Sequence, residues 1–292
     1  MRLRDILALI VVAIITIGGQ IFRDGDEARP ETESPRRPPP SAYNNVPWDA
    51  DTQYWLTDKP AAVTPKSPSW AGLGPEAIVE IPHERNSGTG TAFAVGDGQW
   101  LTARHVIDGC DDVGLQYAPG KAVRVTSIRN HPNADVALLT TKRGPAPFEV
   151  GRNASQGDSG FMIGFPKGKP GAVFGRKIGT TTLKERGRYR TRETADVWSE
   201  RTRLPNRTGS LGGLSGGPIF TDDGRVVGVV LAESKRRGRV FTAQPETMRH
   251  MFDNLAKTNS TPTPLNEADY PSTARDWLTS LQISKVLCRV KK

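Results

Sequence analysis

The chain has 292 residues, a formal net charge of +9, 23 prolines and 30 glycines. That length allows one large or two small domains, and so many turn-forming residues weigh against a helical bundle and for an all-β fold. The charge alone suits nucleic acid, anionic lipid or an acidic substrate. No RRM, helix-turn-helix or zinc-finger pattern accompanies it, so no nucleic-acid partner is expected.

At the N-terminus Arg2 and Arg4 precede the uncharged run Ile6–Phe22. Its length is at the short end for a membrane span, and no small-residue cleavage site follows. Residues 1–22 therefore read as an uncleaved signal-anchor, with a cleaved signal peptide and a secreted product as the alternative. The positive-inside rule then leaves the rest of the chain periplasmic or extracytoplasmic, tied to the membrane through this N-terminal helix. Residues 23–47 carry Pro30, Pro35, Pro38, Pro39, Pro40 and Pro47. They read as an extended linker. Residues 48–75 hold Trp48, Tyr54, Trp55 and Trp70 among further prolines and read as an arm lying against a domain.

From residue 76 the chain becomes a series of short strands broken by turns. The expected strands are Ala77–Ile81, Thr89–Val95, Gln99–Thr102, Val113–Tyr117, Ala122–Ile128, Val136–Thr140, Gly160–Phe165, Gly171–Thr182, Thr191–Trp198, Gly217–Phe220, Val226–Ala232 and Arg239–Ala243. About a dozen strands suit two six-stranded antiparallel barrels. Pro245 is expected to open a helix with Met248, Met251, Phe252 and Leu255 on one face. Residues 259–292 read as a strap, with a short helix starting near Pro271 and running through Trp277, Leu278 and Leu281.

Gly212-Gly213-Leu214-Ser215-Gly216-Gly217-Pro218 sets one serine among glycines, where the backbone can turn tightly enough to aim amide N–H groups and a hydroxyl into one space. Upstream lie Thr102-Ala103-Arg104-His105-Val106 and Asn133-Ala134-Asp135-Val136-Ala137-Leu138-Leu139. With these three motifs in the order His, Asp, Ser, the chain resembles the chymotrypsin-like (trypsin-fold) serine peptidases over about residues 76–258. Gly164-Phe165-Pro166 and Gly224-Arg225-Val226-Val227-Gly228-Val229 are similar to the bacterial HtrA-like branch. The tail from 259 is too short for the PDZ domain usual in that branch.

The resemblance implies an all-β, trypsin-like fold of two barrels with a closing C-terminal helix over 76–258. It implies Ser215 as nucleophile, His105 as base, Asp135 as its orienter, and the N–H groups of Gly213 and Ser215 as an oxyanion hole. No metal or cofactor is expected. The function to expect is a serine endopeptidase that hydrolyses a protein or peptide substrate in the envelope or outside the cell. The alternative is an inactive peptidase-fold binding protein of the envelope.

Several residues receive plainer readings. Ser159, within the trypsin-like string Gly157-Asp158-Ser159-Gly160, is expected in a turn because too few residues separate it from Asp135. His83, His131 and His250 read as solvated. The basic runs Lys184–Arg192 and Lys235–Arg239 read as solvated hairpin tips. Leu214 stands where the family commonly has Asp or Asn, which argues against zymogen activation by a new amino terminus. Arg104, beside His105, is expected to narrow the cleft or touch substrate. Gly209, Ser210 and Ala232–Arg239 fall at family pocket positions, and no Asp stands at the trypsin-like pocket base. Cys110 and Cys288 are an even pair in an exported chain, hence a candidate disulfide.

Overall fold

The computed structural model describes residues 61–62, 74–205, 209–252 and 261–291. The expected signal-anchor, the Pro-rich linker and most of the arm lie outside them. Among the described residues no helix is long and apolar enough to cross a membrane.

The strands are β1 (Ala61–Ala62), β2 (Glu76–Ile81), β3 (Gly88–Gly96), β4 (Gln99–Ala103), β5 (Asp112–Ala118), β6 (Lys121–Arg124), β7 (Ser127–Asn130) and β8 (Val136–Thr140), then β9 (Ser159–Gly164), β10 (Gly171–Gly187), β11 (Thr191–Leu204), β12 (Pro218–Phe220), β13 (Val226–Ser234), β14 (Arg239–Ala243) and β15 (Ile283–Arg289). Among the described residues three α-helices accompany them: α1 (Arg104–Ile107), α2 (Pro245–Arg249) and α3 (Tyr270–Thr279).

The first sheet runs β6-β5-β15-β3-β4-β8-β7. Its two edges are successive pieces of one chain. Val125 N–H donates to Val113 O at 3.0 Å on one side, and Thr126 N–H donates to Thr140 O at 2.7 Å on the other. The expected single strand Ala122–Ile128 therefore crosses from one neighbour to the other and closes the sheet into a ring. The second sheet has the order β1-β11-β14-β13-β12-β9-β10-β2, with β10 also paired to β11. That extra pairing closes β9 to β14 into a second ring and leaves β1 and β2 outside it. The fold is thus mostly β, with two curled, barrel-like sheets. Strand closure of this kind removes exposed sheet edges.

Two features differ from the sequence reading. The segment from 259 does not lie over the barrel as a strap. Its end is β15, paired antiparallel to β3 and to β5 in the middle of the first sheet. The β10–β11 hairpin is also longer than expected, with Glu185 still paired to Thr191. β2 runs parallel to its outer edge, from Thr182↔Glu76 to Gly187↔Ile81. Gly187 has φ +123°, and a Cβ there would lie 1.9 Å from Ile81 O, so only glycine fits.

Burial follows strand alternation. Ala92, Ala94, Trp100, Ala137 and Leu139 pack with Val286 in one apolar cluster. The alternate residues Phe93, Val95, Leu101, Val136 and Leu138 join a larger cluster with Phe161, Phe174 and Phe220 of the second ring and Tyr270 and Trp277 of α3. Both faces of these strands are buried, which explains their nearly unbroken apolar sequence. α2 starts at Pro245 as expected and buries Met248. Leu255 lies outside the described residues. Cys110 and Cys288 are joined in a disulfide with Cα atoms 5.4 Å apart, anchoring the end of β15 beside the turn after α1.

Candidate active site

The loop carrying Ser215 is held by its own short bonds and by the first ring. Leu214 N–H donates to Leu211 O and Gly217 N–H to Leu214 O, both at 2.8 Å, and Gly216 N–H donates to Val230 O at 2.7 Å. From β3, Thr91 N–H donates to Ser215 O at 2.9 Å and the Thr91 hydroxyl donates to Gly213 O at 2.7 Å. Gly216, at φ +84°, leaves room for that approach, since a Cβ there would lie 2.2 Å from both Thr102 Oγ1 and Thr91 O. Gly213 also has positive φ, at +96°. Among the described residues the N–H groups of Gly213 and Ser215 donate to nothing, whereas those of Gly212, Leu214, Gly216 and Gly217 are all engaged. Two neighbouring amides without acceptors are what a developing oxyanion requires.

His105 sits in the single turn of α1, directly after β4, with its side chain 25% exposed. Asp135 is 1% exposed just before β8. The two segments are joined by backbone and side chain. Arg104 N–H donates to Asp135 O at 3.0 Å, and His105 N–H donates to Asp135 Oδ1 at 2.9 Å. His105 Nδ1 donates to Asp135 Oδ2 at 2.6 Å, which leaves Nε2 as the free ring nitrogen. Burial pushes the imidazole pKa down. The charge of Asp135, its hydrogen bond and the charge of Glu185 outweigh burial, so the net shift is upward. Among the described residues no hydrogen bond connects the Ser215 hydroxyl to the His105 ring.

Asp135 is also gripped from the second ring. Tyr189 OH donates to Asp135 Oδ1 at 2.6 Å, and Asp135 N–H donates to Glu193 Oε1 at 2.8 Å. Tyr189 belongs to the run Lys184–Arg192 read as a solvated tip, and Glu193 directly follows it. Glu185, Tyr189, Thr191 and Glu193 are buried there, while Arg186, Arg190 and Arg192 are exposed. The period-two spacing of Arg186, Arg188, Arg190 and Arg192 against the residues between them was the available signal. A polar residue at a buried strand position gives no hydropathy contrast, so the run looked uniformly solvated.

The remaining residues sort as follows. Ser159 is not in the expected turn but opens β9, paired to Arg176 in the second sheet, whereas His105 and Asp135 flank strands of the first. Leu214 is fully buried against Met162, Trp198 and Ile219, and carries no charge for an amino terminus. The Arg104 guanidinium lies 4.0 Å from the centre of the Tyr189 ring. The Tyr189 contact holds the Arg104 side chain beside the Asp135 site. Asp108 pairs with Arg188, Asp111 with Arg85, and Asp112 with Arg289. His83 is exposed, but His131 and His250 stack edge to face, with ring centres 4.6 Å apart. Ser210 and Glu233 are hydrogen-bonded, and Glu233 Oε1 also accepts Leu211 N–H at 2.9 Å. Arg239, read as part of a solvated tip, is 4% exposed.

Residues 90–229 match the family model described as "Trypsin-like peptidase domain". The protein of Chlamydia muridarum named "Probable periplasmic serine endoprotease DegP-like" is 28% identical over 152 residues, covering 51% of this chain and 29% of that protein. Serine protease Rv3671c of Mycobacterium tuberculosis is 29% identical over 162 residues, covering 53% of this chain and 39% of that one. The chain thus spans well under half the length of these relatives. The crystal structure of the active form of the same M. tuberculosis protease aligns with a TM-score of 0.48 at 23% identity, covering 61% of this chain and 76% of that one. Over residues 90–229 the chain is thus similar to the trypsin-like peptidases, and the relatives it matches include DegP-like serine proteases.

Proposed function

We propose that the chain is a serine endopeptidase with Ser215 as nucleophile, His105 as general base and acid, and Asp135 as the group that orients His105. The observation that carries this reading is the His105 Nδ1 bond to Asp135 Oδ2 at 2.6 Å, because it fixes the tautomer that leaves Nε2 basic. Nε2 takes the Ser215 hydroxyl proton as Oγ attacks the scissile carbonyl. Asp135 stabilises the imidazolium that forms. The carbonyl oxygen becomes an oxyanion that accepts from the N–H groups of Gly213 and Ser215. Collapse of the tetrahedral species transfers the Nε2 proton to the leaving amine and leaves an acyl-enzyme. Water, deprotonated by the same nitrogen, attacks that ester, and as the acyl–Oγ bond breaks Nε2 returns the proton to Ser215 Oγ and the acid leaves. The Ser215–His105 hydrogen bond belongs to the substrate-bound state, since catalytic hydrogen bonds commonly tighten only in the Michaelis complex.

The substrates are proteins or peptides outside the cytoplasm. The charge-flanked run Ile6–Phe22 and the word "periplasmic" in the name of a relative support this placement. Sequencing the N-terminus of the exported protein tests the anchor, with Met1–Phe22 retained as the expected result. Labelling by a fluorophosphonate tests the chemistry. The wild type and Ser159→Ala are expected to label. Ser215→Ala is expected to lose labelling and to lose at least about a thousandfold in hydrolysis, with unchanged unfolding. Absence of wild-type labelling would favour the inactive binding protein instead.

A further inference from the structure

The oxygens of Asp135 have different keepers. Oδ2 faces the His105 ring. Oδ1 accepts from the His105 amide and from the Tyr189 hydroxyl. The second of these donors comes from the other ring of strands. Its ring is buried and lies under the Arg104 guanidinium. Burial and the charge of Asp135 drive the phenol pKa far upward, so it remains a donor. Glu193 holds the Asp135 backbone from the same hairpin, and Arg192 N–H donates to Asn133 O at 3.1 Å. Arg188 fastens the turn to Asp108 and to Glu84 O.

We propose that the Glu185–Glu193 hairpin of the second ring is a clamp that fixes the Asp135 carboxylate against His105, with Tyr189 and Glu193 as its positioning residues. The proposal rests on the triad reading for its catalytic meaning and on the hydrogen bonds alone for its structural one. The clamp is complete when Glu185 and Glu193 are uncharged. Glu185 faces Asp135, His105 and Thr191, and Glu193 faces Asp135 and Glu185. Tyr189 faces Asp135, Glu185 and Asp108, with Arg104 across its ring and Arg188 on Asp108. No Lys or Arg ion-pairs with either glutamate among the described residues. Glu185 Oε1 and Glu193 Oε2 are buried without a hydrogen-bond partner. Ionising either glutamate would place a second negative charge beside Asp135 with no Lys or Arg ion-paired to it among the described residues.

The test uses the full chain and two measurements. The first is the rate of fluorophosphonate labelling between about pH 5 and 9, chosen to span the ordinary histidine range and the raised range of the two glutamates. The second is the solvent exchange of the downfield His105 Nδ1 proton by NMR, which needs no catalysis. Tyr189→Phe is expected to slow labelling about tenfold to a hundredfold, the cost of a loosened catalytic geometry. It should also speed Nδ1 proton exchange at least about tenfold, with an unfolding midpoint close to that of the wild type. Glu193→Gln keeps the acceptor and removes the charge, so it should label at least about tenfold faster than Glu193→Ala. Wild-type labelling and exchange in Tyr189→Phe would overturn the clamp, as would equal rates for Glu193→Gln and Glu193→Ala. If the wild type fails to label but Tyr189→Phe frees the Nδ1 proton, the catalytic reading falls and the clamp stands.

Discussion

The β10–β11 hairpin buries acidic side chains at two levels, and it treats them in opposite ways. Near its base, Asp196 is fully buried but lies 2.7 Å from Lys177 Nζ and accepts from Gln244 Nε2 at 2.7 Å. Lys177 also donates to Ala154 O at 2.7 Å. Burial pushes the Asp196 pKa up, and Lys177 and Gln244 pull it back only in part, so the net shift is still upward. Near the tip, Glu185 and Glu193 have no such cation. Glu185 is pushed up to about 7, by burial first and by Asp135 second. Glu193 is pushed up to about 8, by burial above all, with Glu185 and Asp135 adding to it and the Asp135 N–H opposing. The base is a matched pair that serves packing, and the tip is a set of unmatched acids set against the proposed catalytic carboxylate. Perturbed carboxyls without counter-ions gather where a protein needs control over a neighbouring charge more than it needs stability.

The contrast can be tested from its stronger side first. Lys177→Met would leave Asp196 buried without its cation, which is expected to cost about 3–5 kcal/mol in denaturant unfolding. Its labelling rate per folded molecule should stay at the wild-type value. A slowed rate would mean that base and tip are one coupled unit.

The next effect is a pH dependence. Both tip glutamates have folded-state pKa values above their ordinary one, so between about pH 4.5 and 8 the folded chain holds more protons than the unfolded chain. Their contribution to stability is therefore full below about 4.5 and is lost as pH rises through about 7 and about 8. Urea titrations of the wild type and of Glu185→Gln/Glu193→Gln across that window should differ in slope, with the wild type falling more steeply. Parallel curves would show the tip acids to be solvated and the contrast false. In the same window the labelling rate should rise with pH on its acid side, as His105 loses its proton. The midpoint is expected above the ordinary histidine value of 6.5.

The smallest effect tests one bond. Thr191 and Glu185 are hydrogen-bonded within the tip. Thr191→Val should cost about 1 kcal/mol of stability, the usual net worth of such a bond. A cost as large as that of Lys177→Met would mean that the tip, too, is a matched structural pair.

Much of this molecule could be read from local residue order. The strand segments Gln99–Thr102 and Val136–Thr140 lie within one residue of β4 and β8, because short apolar runs bounded by turn residues define strands locally. The loop Gly212–Gly217 could be identified for the same reason, since positive φ at Gly213 and Gly216 is a property of the residue itself. His105, Asp135 and Ser215 could be proposed from motif order. The hydrogen bonds that bring His105 and Asp135 together come from α1 and the start of β8 and could not be read that way.

Residue order alone therefore determined most of the strand segments from β2 to β14, where the Ser215 loop turns, and which side chains carry the candidate chemistry. The tertiary structure alone decided which strands are neighbours and which polar groups lose water. Ile283–Arg289 mixes apolar and polar residues, and nothing local says that its partners are β3, some 190 residues earlier, and β5. Lys184–Arg192 is charged enough to look solvated, yet its alternate residues are buried because β2 covers one edge and Asp135 accepts at the tip. Propensity and periodicity report what a segment prefers by itself. Desolvation of a carboxyl or a phenol depends on atoms supplied by the other ring of strands, and so it exists only once the two are packed together.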